Sequence, residues 1–194
     1  MAQRLTAAAR REQLLDVALE VFARNGFHAT SMNEVAEAAG VTKPVLDQHF
    51  ASKRELYLAL LQEEGTRLLT AIRIATSTAT SPRAQVEQGF VAYFRWVAVD
   101  REAFILLFGS GARRDEEFAE EVHKVEDAIA AAVAPLIQAD IGVDQQRTLA
   151  YALVGLAEGT SRHLVRHDEG FDPDRLARQV ADLAWAGLRG VRRI

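Results

Sequence analysis

The chain has no cysteine among its 194 residues. Disulfides and thiolate metal sites are therefore excluded, and the lack is compatible with a reducing cytosol. Proline is scarce, at four, so little interrupts long helices. No stretch alternates apolar and polar residues as a half-buried strand would. No window approaches eighteen uninterrupted apolar residues, so no membrane span is expected. A secretory leader is not expected either, because Arg4, Arg10, Arg11 and Glu12 break any apolar run in the first thirty residues. The net charge of −4 argues against a protein that coats nucleic acid indiscriminately.

What is present is a large apolar fraction, 49%, enough for one or two compact domains with a real core. Charge is unevenly spread. Residues 1–54 carry seven Lys and Arg against six Asp and Glu, whereas the remainder carries sixteen against twenty-one. A slightly basic first quarter on an acidic body is compatible with an N-terminal nucleic-acid contact.

Almost every segment reads as helix. Leu14, Ala18, Val21 and Phe22 form an apolar stripe at helical spacing, and Gly26 stops it. Ser31 with Glu34 is a capping box that opens a short helix from Met32 to about Ala38, closed by Gly40. Thr42 is placed to cap the next, Lys43 to about His49, with Pro44 in its first turn. Ser52 with Glu55 is a second capping box, opening a long helix through Leu56, Leu60, Leu61, Leu68 and Ile72. A Thr/Ser linker over 76–81 precedes a helix that Ser81-Pro82 starts and that runs to about Asp100. Further helices are expected over 102–108, over 115–138 with a kink near Pro135, over 143–167, and from Asp172-Pro173 to about Arg189. The expectation is an all-α chain of about nine helices.

Between residues 10 and 60 the pattern carries a function. Two short helices meet at Ala39-Gly40-Val41, as in a helix-turn-helix. In that motif the second helix enters the major groove and its first residues read base edges. The side chains suit the task. Thr42 and the free N–H groups of the helix start offer donors to a phosphate. Lys43 reaches a phosphate or a guanine, and Gln48 an adenine. His49, Lys53 and Arg54 are placed to hold backbone phosphates. The bland alternative is a helical corner with solvated polar residues.

The run from Arg11 to Tyr57 resembles the N-terminal domain of the TetR family of transcriptional regulators. The matching features are the apolar stripe ending in Phe22, Gly26-Phe27, Thr30-Ser31, Val35-Ala36, Ala39-Gly40-Val41, His49-Phe50, Ser52-Lys53 and Leu56. The resemblance implies an N-terminal three-helix helix-turn-helix domain over 1–54 and a larger helical effector-binding and dimerisation domain over 55–194. It implies a cytoplasmic homodimer, a ligand-responsive repressor, on a pseudo-palindromic double-stranded operator. DNA contacts are implied for Ser31, Met32, Thr42, Lys43, Pro44, Val45, Asp47, Gln48, His49 and Lys53. No cofactor or metal is implied.

One position departs from the family pattern. Asp47 stands where the family usually has a Tyr that touches the DNA backbone. An acid there is repelled by phosphate. Three readings remain open: Asp47 loses a contact that Lys43, Lys53 and Arg54 offset; it accepts from a cytosine amino group; or it pairs with a neighbouring cation and faces away from DNA.

Beyond Glu55 no catalytic signature stands out. The aromatic set Phe90, Tyr93, Phe94, Trp96, Phe104, Phe108 and Phe118 is core material, from which the family reading cuts an apolar cavity. A small apolar effector is implied, held by Phe90, Tyr93, Phe94, Val97, Phe104, Phe108, Val122, His123 and Leu156. A looser likeness to actinobacterial TetR-type regulators of lipid metabolism rests on F-I-L-L-F, A-L-V-G-L and L-A-W-A-G-L, and implies a fatty acyl or acyl-CoA effector. Ala152, Gly155 and Gly159 on one helix, with Ala184, Trp185 and Leu188 on the last, are the implied dimer surface; an intramolecular packing stripe is the alternative. His163 and His167 lie at i, i+4, and Glu120-x-x-His123 is half of a di-iron pattern without a second copy. A helical metal enzyme and a lipid carrier without DNA function are the rival classes.

Overall fold

The computed structural model describes residues 6–167 and 170–192. Among them are nine α-helices and two short 3₁₀ turns, with no strand. The helices are α1 (Ala7–Ala29), α2 (Met32–Ala38), α3 (Lys43–Asp47), α4 (Lys53–Ser77), α5 (Pro82–Val99), α6 (Arg101–Phe108), α7 (Glu116–Val133), α8 (Val143–Arg166) and α9 (Pro173–Gly190). No described helix is long and apolar enough to cross a membrane.

The chain packs as two compact units, Met1–Glu64 with Glu102–Glu121, and Gly65–Arg101 with Val122–Ile194. The boundary expected after residue 54 falls inside α4, and residues 102–121 join the first unit. The reason is aromatic packing. Phe118 sits with ring centroids 4.8 Å from Phe27 and 4.5 Å from Tyr57, completing the core beneath α1. Phe104 and Phe108 are buried in this unit as well. Burial pushes the Tyr57 hydroxyl up to about 12.

Local chemistry sets the short helices of the first unit. Gly26 adopts φ 78°, ψ 165°, a region open to glycine alone, and one further turn, 27–29, follows it. The Ser31 capping box is complete: Glu34 N–H donates to Ser31 Oγ at 3.2 Å, and Ser31 N–H donates to the Glu34 carboxylate at 2.7 Å. Gly40 takes φ 63° and turns the chain into α3. Thr42 starts α3 without the expected side-chain cap, and the helix ends at Asp47, two residues early, with the N–H groups of His49 and Phe50 both donating to Leu46 O. Five residues make no stable helix alone. Leu46, fully buried, and Phe50, under the Arg11 guanidinium at 5.0 Å, tether α3 to the unit. The second capping box is displaced by one residue. Ser52 Oγ accepts from Glu55 N–H, but the Glu55 carboxylate takes the Ala51 N–H.

In the second unit α9 packs along α5. Arg83 meets Asp182 at 2.8 Å, and Arg95 grips Asp174 through two bonds of 2.7 and 2.8 Å. Phe90 and Phe94 stack on the inner face of α5. The helix expected to reach residue 138 stops at Val133. Pro135 lacks the N–H and crowds the carbonyl a turn before it, so the backbone tightens into the 3₁₀ turn Ala134–Leu136. α4 reaches Ser77, so Thr76 is helical rather than linker, its hydroxyl donating back to Ile72 O at 2.9 Å.

Candidate nucleic-acid interface and effector cavity

Apolar periodicity decides which side of α2–turn–α3 faces out. Val35, Ala36, Ala39, Leu46 and Phe50 are buried, so Thr42, Lys43, Pro44, Asp47 and Gln48 stay exposed, with Met32, Val45 and His49 half-buried. Lys43 Nζ donates to Asp47 Oδ2 at 2.6 Å, one turn along the same exposed face. The Ser31 hydroxyl is taken by its cap, and the Ser31 N–H holds Glu34 below the usual carboxylate range.

Two expected phosphate contacts have other partners. Lys53 Nζ donates to the carbonyls of Phe27 and Thr30, each at 2.7 Å, and lies over the Phe27 ring. It thereby satisfies carbonyls left orphaned where α1 ends. Arg54 pairs with Asp115 at 2.7 Å and with Glu117, and stacks on Phe118 at 4.6 Å. That guanidinium holds the Asp115 carboxyl below its usual range. Nothing local in the sequence announced either bond, since their partners lie 23 to 63 residues away.

The second unit contains an apolar cavity of about 130 Å³ between the end of α4, α5, the end of α7, α8 and α9. Phe90 and Tyr93, two of the residues expected to hold a ligand, line it. The others are placed elsewhere. Phe94, Val97 and Val122 are buried away from its wall, Leu156 does not line it, and His123 is exposed. Phe104 and Phe108 belong to the first unit. Residues not anticipated include Gln85, Gly89, Ile129, Leu153 and Arg189. The signal was available on α5, where Pro82, Gln85, Gly89 and Tyr93 recur at helical spacing on one face.

The small-residue surface divides. Ala152, Gly155 and Gly159 are exposed along one face of α8, and a methyl group added at either glycine would meet nothing. Ala184 is buried, however, and Trp185 and Leu188 line the cavity. Helical spacing puts Ala181, Trp185 and Leu188 on the inward side of α9. The large apolar residue that α9 exposes is Leu183. His163 on α8 and His167, which caps its end, are exposed with rings 4.6 Å apart. No group of three metal-ligating side chains forms among the described residues.

A helix-turn-helix in one unit and an apolar cavity in the other suit a DNA-binding transcriptional regulator, and comparison with known proteins gives the family. The profile described as bacterial regulatory proteins, tetR family, matches residues 14–60, and that described as tetracyclin repressor-like, C-terminal domain, matches 82–187. The HTH-type transcriptional activator FasR of Mycolicibacterium smegmatis is 36% identical over 190 residues, spanning 97% of this chain and 87% of that protein. The HTH-type transcriptional repressor KstR2 of the same organism is 31% identical over 107 residues, 55% of this chain and 52% of its own. The crystal structure of a TetR-like transcriptional regulator from Rhodococcus sp. RHA1 superposes with a TM-score of 0.80 at 31% identity, covering 97% of this chain and 100% of that one. The transcriptional regulator FadR of Bacillus subtilis, solved in complex with stearoyl-CoA, shares the fold at 18% identity, with a TM-score of 0.80 over 93% of this chain and 99% of that one. The chain belongs to the TetR family of bacterial transcriptional regulators. It is a DNA-binding regulator of a non-enzyme family.

Proposed function

We propose that the protein acts as a cytoplasmic homodimer on a pseudo-palindromic operator, with residues 1–54 as its DNA-reading part. Each copy lays α3 in a major groove, and Lys43, Asp47 and Gln48 meet base edges there. Pro44, Val45 and His49 lie against the groove wall, and the Thr42 hydroxyl, unused as a cap, meets a phosphate. Ser31 and Met32 contribute backbone contacts from the start of α2, and Lys53 supports them by holding the end of α1. The observation that carries the reading is the outward polar face of α3, fixed from beneath by Leu46 and Phe50. Two-fold symmetry requires half-sites about 34 Å apart or a multiple of that. The dimer surface is the exposed stripe of α8 together with Leu183 of α9.

The effector occupies the cavity of the second unit and is apolar, a fatty acid or its CoA thioester. Phe90, Tyr93 and the aliphatic wall support this, as does the stearoyl-CoA complex of a protein of the same fold. Ligand and operator are then thermodynamically linked, each changing the other's affinity by one factor. The sign of regulation is that of a repressor when the operator overlaps a promoter and of an activator when it lies upstream; both kinds occur among the relatives. Selection of bound genomic fragments, followed by titration at several salt concentrations, tests the reading. Affinity is expected to fall by orders of magnitude between about 50 and 200 mM salt if about six or more phosphates are neutralised. A flat salt response on a selected site would remove the DNA role proposed for α3.

A further inference from the structure

The polar groups around the cavity do not stand alike. The Thr76 hydroxyl is satisfied inside its own helix, donating to Ile72 O at 2.9 Å and Arg73 O at 3.2 Å. Gln85 differs. Its backbone N–H donates to Ser81 O, but its side-chain Oε1 is buried with no hydrogen-bond partner, and no described residue bonds its Nε2. A buried amide acceptor without a partner costs about 1–3 kcal/mol. A leucine of similar size would line the same wall without that loss, so an apolar cavity gains nothing from Gln85 while it is unoccupied. The amide is of use only when something in the cavity bonds to it.

We infer that Gln85 is the polar anchor of the effector and that it hydrogen-bonds the oxygen of an acyl group, either a free carboxylic acid or its thioester. The inference rests on the apolar-effector reading above and specifies which part of the ligand the cavity recognises. The chemistry fits from both sides. The Nε2 donors meet the acyl C=O of an acid or a thioester alike, whereas Oε1, an acceptor, is satisfied only by the O–H of an acid in its neutral form. Most of the remaining wall is hydrocarbon, with Phe90, Ile129 and Leu153 around the chain, while Tyr93, Gln138 and Arg189 add further polar groups to the lining. A cavity of about 130 Å³ is close to one known to seat benzene, so it seats an acyl segment of about six carbons without rearrangement. A site built to bond an oxygen discriminates strongly against an analogue lacking it, because the loss leaves its own polar atoms unpaired again.

The test compares hexanoyl-CoA with S-hexyl-CoA, the thioether with the same chain and nucleotide but no carbonyl, and with hexanoate. The ligands are titrated calorimetrically into wild type, Gln85→Leu and Gln85→Met; the pair is repeated at sixteen carbons. Wild type is expected to bind the thioester about tenfold or more tightly than the thioether. Both variants are expected to bring the two within about twofold while keeping the thioether's affinity. Their thermal midpoints are expected to equal or exceed wild type, since an orphaned acceptor has been removed. Tighter binding of hexanoate with the same dependence on Gln85 names the free acid as the source and supports the proposal. Equal affinity for thioester and thioether in wild type, or a preference that survives both substitutions, overturns it and leaves an apolar effector standing. If no ligand of either length binds, the effector reading falls and the proposal with it.

Discussion

Lys43 and Asp47 are bonded to each other at 2.6 Å on the exposed face of the helix that meets DNA in the reading given above. Of the three readings open for Asp47, the third joined pairing with a cation to facing away from DNA; the pairing is present, on the exposed face of α3. The pair costs the reading face one net positive charge. An exposed pair of this kind is worth about 0.2–1 kcal/mol, so DNA is able to part it.

Removing the acid should therefore release Lys43 to the phosphates. Asp47→Asn is expected to tighten binding to non-operator DNA a few-fold and to steepen the logarithmic salt slope by about one. Asp47→Tyr, which restores the family's usual residue, should do the same and add a backbone contact. Fluorescence anisotropy between about 50 and 200 mM salt measures both. Slopes indistinguishable from wild type would mean that Asp47 does not restrain Lys43.

Much of the first unit was legible because its determinants are local. Gly26, Gly40 and the Ser31–Glu34 box act within four residues, and each does what its spacing implies. The partners of Lys53 and Arg54 were not legible because they come from distant chain. A cation beside a recognition helix looks the same in sequence whether it faces phosphate or caps another helix. On α9 the inward placement was legible. Ala177, Ala181, Ala184 and Leu188 repeat at helical spacing on one face, and Trp185 sits a turn from Ala181 on that face, so the bulky pair points inward with the buried alanines. Phe104 and Phe108 carry no such local signal. Which of two cores an apolar helix joins depends on what packs over it.

Gly26 offers a test of backbone conformation separated from packing. An added Cβ would meet nothing within 4 Å, yet φ 78° with ψ 165° is closed to other residues. Gly26→Ala should destabilise the first unit by about 1–3 kcal/mol through strain alone. Chemical denaturation followed by circular dichroism reads this out. A loss well under half a kcal/mol would mean that the turn relaxes into another conformation.

Acid should weaken the protein through a small set of carboxylates. The Ser31 N–H lowers Glu34, Arg54 lowers Asp115 and Arg95 lowers Asp174. Each folded value lies below the unfolded one, so each group stabilises above the ordinary carboxylate range, about pH 4. That contribution disappears as pH falls through the lowered values. Unfolding midpoints attributable to these groups should stay level from neutral pH to about 5 and then decline. Glu34→Gln should make the decline shallower. An unchanged acid limb in that variant would show that the Ser31 bond contributes nothing to acid stability.

Association should depend on the outward face of α9, apart from its cavity face. Leu183 is 65% exposed, while Trp185, two residues on, lines the cavity. In a two-fold interface a residue near the axis faces its own copy, so a charge placed there meets a like charge during desolvation. Leu183→Glu should convert a dimer of 21.4 kDa chains to monomers in sedimentation while leaving ligand binding in the cavity intact. Operator affinity should fall steeply, because two half-sites are no longer bound as one. Trp185→Glu should do the reverse, burying a charge in the cavity wall and lowering stability before it touches association. If the two variants behave alike, or if Leu183→Glu stays dimeric, the copies associate through another face.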